Sequence, residues 1–328
     1  MLRKRCVLWG LIIFVFIFLP MEEKTMVFKE GFIKNNQVEL YYKIMGKGKP
    51  IVIVHGGPGF DHNSMLPMSE LAREAKVIFY DQRATGNSTG EANSDSITVD
   101  HFVQDLEQLR KQLKLKKINL IGHSWGSTLA MFYGIKYADH LESLILMAPS
   151  GASIEYFDRY FENIQKKTSP EDKRVIAQIE ASTAFKNKDI DAFKKYYRIS
   201  VKTFFYDQSL TGKLNLNLGK NTVKNQLEVS NLLMKNLGNF DIHEQLSAIK
   251  CPTLILHGDS DPLPFEMSYK IHKHISQSKL VVLKNTGHFM FIESPDKLFS
   301  TIRDFLRDEE SVKTSIPADM KKKVMEEF

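Results

Sequence analysis

The chain has 328 residues, of which 43% are hydrophobic and 26% are charged, and its formal net charge at pH 7 is +6. A chain of this length and composition can bury a large core, which argues against extensive disorder. The mild charge comes from scattered lysines and predicts no nucleic-acid partner, and the distant Cys6 and Cys251 predict neither a structural disulfide nor a zinc site.

The N-terminus carries a basic and then apolar segment. Arg3, Lys4 and Arg5 precede an uncharged run over residues 6–19. A helix of that length spans about 21 Å, which is short of the roughly 30 Å hydrocarbon core of a bilayer. We interpret the segment as an uncleaved signal anchor, with membrane attachment or export as the expected outcome. A cleaved signal peptide is one alternative, and a cytoplasmic protein translated from Met21 or Met26 is another.

Short apolar runs predict eight strands. Two alternating segments flank a turn at Asn35 and Asn36, and six continuous apolar runs follow them. Continuous runs are typical of strands that are covered on both faces of a parallel sheet. The predicted strands are residues 27–33, 38–45, 51–54, 77–80, 118–121, 144–147, 253–256 and 280–283.

Helical patterns separate these strands. Apolar residues recur at three- and four-residue spacing from Val99 to Leu113, and a second helix is predicted over residues 127–137. The last predicted helix has Ser294 as its N-cap and Pro295 at its first position. Strands that alternate with helices predict a three-layer α/β sandwich with a mainly parallel sheet.

One interval interrupts this alternation. About a hundred residues separate two of the predicted strands, too many for a single crossover, and their aromatic residues recur at helical spacing. We predict an inserted helical cap there, with its aromatic residues mainly in its own core. The predicted organisation is an N-terminal segment (1–26), a core in two parts (27–149 and 247–309), the cap (150–246) and a polar tail (310–328) that is expected to fray.

The strongest chemical signal is the G-x-S-x-G segment Gly122-His123-Ser124-Trp125-Gly126. It follows a predicted strand and precedes a predicted helix, which is the context of a nucleophile elbow. The glycines permit the sharp turn that exposes a serine hydroxyl. Ser124 is therefore the predicted nucleophile.

A serine hydroxyl needs a neighbouring base, and the base needs an orienting acid. His288 follows the last predicted strand, so it lies at the carboxyl edge of the sheet, where α/β sheets place ligands. The segment after the preceding strand offers Asp259 and Asp261. We predict Asp261 as the acid, because it stands three residues after Gly258 and before a proline, and Asp259 as a brace of the turn.

Two backbone amides are predicted to form an oxyanion hole. One is the amide of Trp125, directly after the serine. The second should come from the glycine-rich loop His55-Gly56-Gly57-Pro58-Gly59, where Gly57 is the best candidate. No cofactor or metal is predicted.

Together these segments resemble the proline iminopeptidase family, α/β-hydrolases that remove an N-terminal residue, usually proline, from peptides. The resemblance implies the α/β-hydrolase fold with a cap and a Ser-Asp-His triad, and it extends over residues 27–307. The matching segments are His55 to Gly59, Asp81-Gln82-Arg83 with Gly86 and Ser88, Gly122 to Ser127, Gly258 to Asp261, and Gly287-His288.

The chain departs from the family pattern at two places. Ala84 stands where the family usually has a glycine. The family's tryptophan-rich cap stretch, with its glutamate for the substrate's amino group, is also missing, since Trp9 and Trp125 are the only tryptophans. Cap carboxylates could replace that glutamate, among them Glu155, Glu162 and Glu180.

Three functions therefore stay open. The first is release of an N-terminal residue from a small peptide or amide through an acyl-enzyme. The second is hydrolysis of an uncharged ester, lactone or related small molecule by the same residues. The third is a non-catalytic hydrolase-fold binding protein, which predicts an eroded triad or oxyanion loop, and the sequence shows neither. No oligomeric state is predicted.

Overall fold

The structure is a computed structural model that describes residues 28–216 and 218–327. The predicted signal anchor, residues 6–19 within the segment 1–26, lies outside the described residues. In the part of the chain that is described, no helix has the length and apolar character needed to cross a membrane.

A single eight-stranded sheet forms the centre of the molecule. Its spatial order is β1-β2-β4-β3-β5-β6-β7-β8. The pairs β1–β2 and β2–β4 are antiparallel, and all the other pairs are parallel, so the prediction of a mainly parallel sheet is confirmed. The strands are β1 (Phe28–Asn35), β2 (Val38–Met45), β3 (Pro50–Val54), β4 (Lys76–Tyr80), β5 (Ile118–His123), β6 (Leu141–Met147), β7 (Thr253–Gly258) and β8 (Ser278–Leu283).

Helices surround this sheet and form the insert between β6 and β7. The N-cap of α1 is Thr98, whose hydroxyl accepts a hydrogen bond from the His101 amide. The helices are α1 (Val99–Gln112), α2 (Trp125–Lys136), α3 (Phe157–Lys167), α4 (Pro170–Ala181), α5 (Thr183–Lys186), α6 (Ile190–Ser200), α7 (Lys220–Leu237), α8 (Phe265–His274), α9 (Met290–Glu293), α10 (Pro295–Arg307) and α11 (Ala318–Glu327).

Helix α10 begins where the sequence predicts, with Pro295 as its first residue, but its N-cap lacks the usual hydrogen bond. Ser294 occupies the N-cap position, but its side chain makes no capping hydrogen bond. Its hydroxyl instead lies 2.6 Å from the hydroxyl of Thr286. The Ser294 side chain therefore bonds the loop after β8, while its carbonyl accepts the amide of Leu298 at 2.9 Å and Pro295 favours the start of the helix.

Two hydrophobic cores lie on opposite faces of the sheet. Neighbouring strand residues alternate between them: Val52 and Leu120 belong to one core, and Ile53 and Ile121 belong to the other. The first core includes side chains of α1, α2 and α8, and the second includes α10 and the 3₁₀ helix His62–Arg73. This alternation follows from the two-residue side-chain period of a strand. Both faces are covered, which produces the three-layer sandwich.

The insert between β6 and β7 contains α3 to α7. A bridge between Ser153 and Asp241 joins its two ends, and the amide of Ile242 donates to the carbonyl of Ala152 at 2.9 Å. The 3₁₀ helix Glu244–Ala248 that follows packs Leu246 into the core under the sheet. Because its two ends are bonded to each other, the insert is connected to the rest of the fold at one place.

The C-terminal tail is ordered, so the prediction that it frays is wrong. The amide of Val282 in β8 donates to the carbonyl of Ser315, and the amide of Ser315 donates to the carbonyl of Leu280, both at 2.9 Å. Beyond this bridge α11 inserts Val324, fully buried, into the core beside α8. Apolar residues at wide spacing therefore anchor a tail whose composition is mostly polar.

Candidate active site

The predicted nucleophile elbow is a strained turn between β5 and α2. Ser124 has φ 57° and ψ −125°, a conformation that costs a non-glycine residue about 1–3 kcal/mol. Its amide donates to the carbonyl of Met147 at 2.9 Å, which ties the turn to β6. A side chain at Gly126 would approach the carbonyl oxygen of Val54 to 2.2 Å. The glycine is therefore required by the close approach of α2 to β3.

His288 lies against Asp261. Its Nδ1 is 2.8 Å from Oδ2 of Asp261, and the Asp261 side chain is completely buried. Oδ1 of the same carboxylate accepts the amide of Leu263 at 2.9 Å. Burial alone would raise the pKa of Asp261, but the electrostatic interaction and hydrogen bond with His288 hold that pKa below its ordinary value. The carboxylate is therefore ionised at neutral pH, beside the imidazole.

Asp259, the other aspartate of this segment, does not contact the imidazole. It is exposed, and its carboxylate accepts the backbone amides of Asn285 at 3.0 Å and Thr286 at 3.2 Å. These bonds brace the loop after β8. Of the two aspartates that the sequence offered, the structure brings Asp261 to His288.

Two cavities, of about 250 and 290 Å³, meet at the elbow. Ser124, His288 and the predicted oxyanion residue Gly57 line both of them. A larger cavity of about 450 Å³ lies at the amino ends of the parallel strands, beside Lys117 and Cys251. None of the predicted site residues lines it. The predicted residues thus converge on one place at the carboxyl edge of the sheet.

The two predicted oxyanion donors lie on elements that touch each other. Trp125 is the first residue of α2, so its amide has no carbonyl one turn earlier to bond. Gly57 has φ 130°, which a residue with a side chain rarely adopts. A side chain at the adjacent Gly56 would come within 3.1 Å of the Ser124 Cβ. The loop backbone can therefore pass close to the serine only because it carries no side chains there.

Two other histidines near the site are buried. Nε2 of His123 lies 3.0 Å from the carbonyl of His288, and burial together with His288 lowers the pKa of His123 to about 3. Burial also lowers the pKa of His55, which directly follows β3. Both imidazoles are consequently neutral, as expected of residues that pack and brace loops.

Cap aromatic residues form much of the cavity walls. Tyr160 and Phe204 line both cavities, and Phe157 and Phe161 line the first. Phe193, in contrast, is buried with Tyr197 in a separate aromatic core of the insert. The expectation that the cap aromatics belong mainly to its own core is therefore wrong for α3. The spacing predicted a helix but gave no information on which face would meet the serine.

Sequence reasoning also missed a buried polar cluster beside the site. Asp61, His62 and Asp81 place potential metal-ligating atoms within 4.8 Å of one another, the one such group among residues 28–216 and 218–327. Its carboxylates already form hydrogen bonds within the protein. Nδ1 of His62 lies 2.7 Å from Oδ1 of Asp81, and the hydroxyl of Thr222 donates to Oδ2 of Asp61 at 2.6 Å. Since Thr222 is on α7, the cluster fastens the cap to the core.

Ala84, where the related family usually has glycine, is a second strained residue. It has φ 63°, in the left-handed region that favours glycine. Its carbonyl accepts the side-chain amide of Asn225 on α7 at 2.8 Å. The preceding Arg83 binds Asp105 of α1 through two bonds, at 2.7 and 2.8 Å. The loop is held from both sides, which explains how it tolerates the strain.

Comparison with known proteins assigns the family. The model of the alpha/beta hydrolase fold family matches residues 49–295. A proline iminopeptidase of Saccharolobus solfataricus is 29% identical over 307 residues, which cover 89% of this chain and 96% of that protein.

Solved structures share the fold. The proline iminopeptidase of Mycobacterium smegmatis superposes with a TM-score of 0.64 at 20% identity, over 85% of this chain and 98% of that one. An esterase from Exiguobacterium antarcticum superposes with a TM-score of 0.62 at 23% identity, over 84% of this chain and 99% of that one. The chain belongs to the alpha/beta hydrolase fold family and is a hydrolase similar to proline iminopeptidases along most of its length.

Proposed function

We propose that the protein is a serine hydrolase in which Ser124 attacks an acyl carbon, His288 takes the hydroxyl proton and Asp261 orients the imidazole. The oxygen of the attacked carbonyl gains negative charge and is stabilised by the amides of Gly57 and Trp125. The protonated His288 then gives its proton to the leaving group, which departs and leaves an acyl-enzyme. Water, deprotonated by the same imidazole, releases the acid product.

Three observations support these roles. The strained backbone of Ser124 presents its hydroxyl to both cavities. The 2.8 Å contact between His288 Nδ1 and Asp261 leaves Nε2 as the ring nitrogen available to the serine. Asp261 remains ionised because its pKa is held low, so it can stabilise an imidazolium. Each feature is one that acyl transfer requires.

For the substrate, we propose a small uncharged acyl compound such as an ester or lactone. The observation that carries this choice is the composition of the two cavities. Among the described residues no Asp or Glu side chain lines either one. The walls are aromatic and aliphatic, with a few hydroxyl groups and the amide of Gln226. A substrate ammonium that is buried there without a counter-charge would cost several kcal/mol.

The cap carboxylates that the sequence offered do not change this composition. Glu155 pairs with Lys270, and Glu162 pairs with Lys166 at 3.3 Å. Glu180 is exposed on α4. None of the three lines either of the two cavities at Ser124.

Release of an N-terminal residue is the second candidate, and the 29% identity to a proline iminopeptidase over 307 residues favours it. The two candidates differ in whether the enzyme recognises a free amino group. Proline p-nitroanilide and its N-acetyl derivative have the same scissile bond and leaving group, so their kcat/KM ratio isolates that recognition. Short-chain p-nitrophenyl esters tested beside them measure acyl transfer without an amine.

We expect turnover of the esters and no gain for the free amine over its N-acetyl counterpart. A gain above about 100-fold, equivalent to roughly 2.7 kcal/mol, would show that the cap binds the ammonium and would establish the iminopeptidase candidate. Ser124→Ala is the control for all three kinds of substrate, because background hydrolysis of activated esters does not depend on the serine.

A further inference from the structure

One buried amide side chain joins the two elements that carry the proposed oxyanion donors. Gln82 follows β4 and is 1% exposed. Its Nε2 donates to the carbonyl of His55 at 2.8 Å, and its Oε1 accepts the indole N–H of Trp125 at 3.0 Å. One side chain therefore bonds the residue that opens the glycine loop and the residue that opens α2.

The backbone of Gln82 adds a second bond to the same loop. Its amide donates to Nε2 of His55 at 3.1 Å, so this nitrogen must be the unprotonated one. The other ring nitrogen then carries the proton and lies 2.9 Å from the carbonyl of Gly56. Burial favours the neutral imidazole that this arrangement needs, because it lowers the pKa of His55. The loop is consequently fixed up to the residue before Gly57.

We propose that Gln82 is a positioning residue that sets the separation of the Gly57 and Trp125 amides in the oxyanion hole. It touches neither the serine nor the substrate in this role. Oxyanion donors must lie about 2.7–3.1 Å from the charged oxygen, and a misplacement of about 1 Å costs on the order of 100-fold in rate. The role rests on the proposed function, since it presumes acyl transfer at Ser124.

The alternative is that Gln82 only satisfies buried polar groups. Asn119 provides a matched control for that alternative. It is also a buried amide: its Nδ2 donates to the carbonyl of Pro50 at 3.1 Å, and its Oδ1 accepts the hydroxyl of Ser143 at 2.7 Å. It lies near the start of β5, at the end of the strands opposite to the proposed site. The two cavities that it lines do not include Ser124. Gln82→Glu and Asn119→Asp each exchange an amide donor for a carboxylate oxygen in an equivalent setting.

The experiment measures kcat and KM on a p-nitrophenyl ester, the inhibition constant of a trifluoromethyl ketone and the free energy of unfolding in urea. The ketone forms a tetrahedral adduct whose oxygen occupies the oxyanion hole. For Gln82→Glu we expect kcat to fall about 100-fold with KM within about threefold, and ketone affinity to fall by a similar factor. For Asn119→Asp we expect a comparable loss of stability, with kcat and ketone affinity within about threefold of wild type.

Wild-type kcat in a folded Gln82→Glu protein would overturn the positioning role, and so would equal losses of kcat in the two variants. If Gln82→Glu does not fold, Trp125→Phe tests the same connection, because it removes the indole N–H and keeps the backbone amide. Its kcat should fall with KM unchanged, and unaltered kcat would again overturn the role. Undiminished turnover in Ser124→Ala would overturn the proposed function itself, which separates the two failures.

Discussion

The carboxylate of Glu266 on α8 connects three parts of the molecule, and its charge balance gives a sharp test of how the cap is held. Its side chain is fully buried, and Arg159 of cap helix α3 lies 2.9 Å from Oε1. Lys323 of α11 lies 2.6 Å from the same oxygen. Arg159 also binds Glu327 of α11 at 3.2 Å. Cap, core and tail therefore share one cluster.

The perturbation is removal of both cations in an Arg159→Met, Lys323→Met double variant. Removing the partner of a buried charge costs about 3–5 kcal/mol when nothing replaces it. Here Arg159 is 39% exposed and Lys323 is 62% exposed, so solvent screening reduces each contribution. We expect each single variant to lose about 1 kcal/mol, because one cation remains, and the double variant to lose about 3 kcal/mol.

Adding Glu266→Gln to the double variant should restore stability. The buried, unpaired charge of Glu266 is then removed, so we expect the free energy of unfolding to recover by about 1–2 kcal/mol. In wild type, burial alone would raise the pKa of Glu266, but Lys323 and Arg159 hold it low. Wild type should therefore lose this contribution as the pH falls through that lowered pKa. Without the cations the pKa is raised instead, so the deficit of the double variant should shrink as the pH falls from about 8 to about 5.

Urea unfolding at fixed pH measures these differences, provided that the denaturant slopes agree among the variants. Lys322→Met is the matched control, since Lys322 is 79% exposed on the same helix and pairs only loosely with Glu326, at 3.9 Å. It should change stability by no more than about 0.5 kcal/mol. If Glu266→Gln destabilised the double variant further, the carboxylate would not be a stranded charge, and our account of the cluster would be refuted.

Four further results are expected. A fluorophosphonate should label Ser124 alone, and label on another serine found by peptide mass spectrometry would remove it as nucleophile. Asp261→Asn should lower kcat by about 10⁴ while Asp259→Asn lowers it by no more than about tenfold; the reverse order would reassign the acid. Ala84→Gly should raise stability in urea by up to about 1 kcal/mol by relieving the left-handed strain, and a loss would show that the bonds around it impose the conformation. Gly126→Ala should cost at least about 2–3 kcal/mol, and unchanged stability would contradict the contact with β3.

The strands and the loops that carry the proposed site residues could be predicted because their causes are local. Each buried strand is a short apolar run in the sequence. Because the strands are parallel, the residues that follow them all lie at the carboxyl ends of the strands, on one side of the sheet. The elbow needs glycine on both sides of Ser124, and that requirement is visible in the sequence. The choice of Asp261 over Asp259 depended on its spacing from Gly258, again a local property.

The tail and the cap walls could not be predicted because their causes are tertiary. Val324 is one apolar residue in a helix that is otherwise mostly polar, and its burial depends on a groove beside α8. Glu266 gives no sign in the sequence that it is buried, since its two cations are far away in the chain. Phe157 and Phe193 each belong to a series of aromatic residues at helical spacing. The first lines a cavity together with Ser124, whereas the second packs within the insert.

This difference in origin explains how the substrate class that we propose can differ from that of similar proteins. The proposed reacting groups lie on loops that follow strands of the sheet, where glycines and backbone hydrogen bonds determine their geometry. The walls around them belong largely to α3, α6, α7 and the 3₁₀ helix Val201–Phe204, where a few substitutions can alter charge and shape without disturbing the sheet. A relative at 29% identity can therefore share the chemistry and not the pocket. The absence of a carboxylate from the walls among the described residues bears on substrate charge more directly than the identity does, because charge recognition needs a counter-charge at the place where the ammonium would lie.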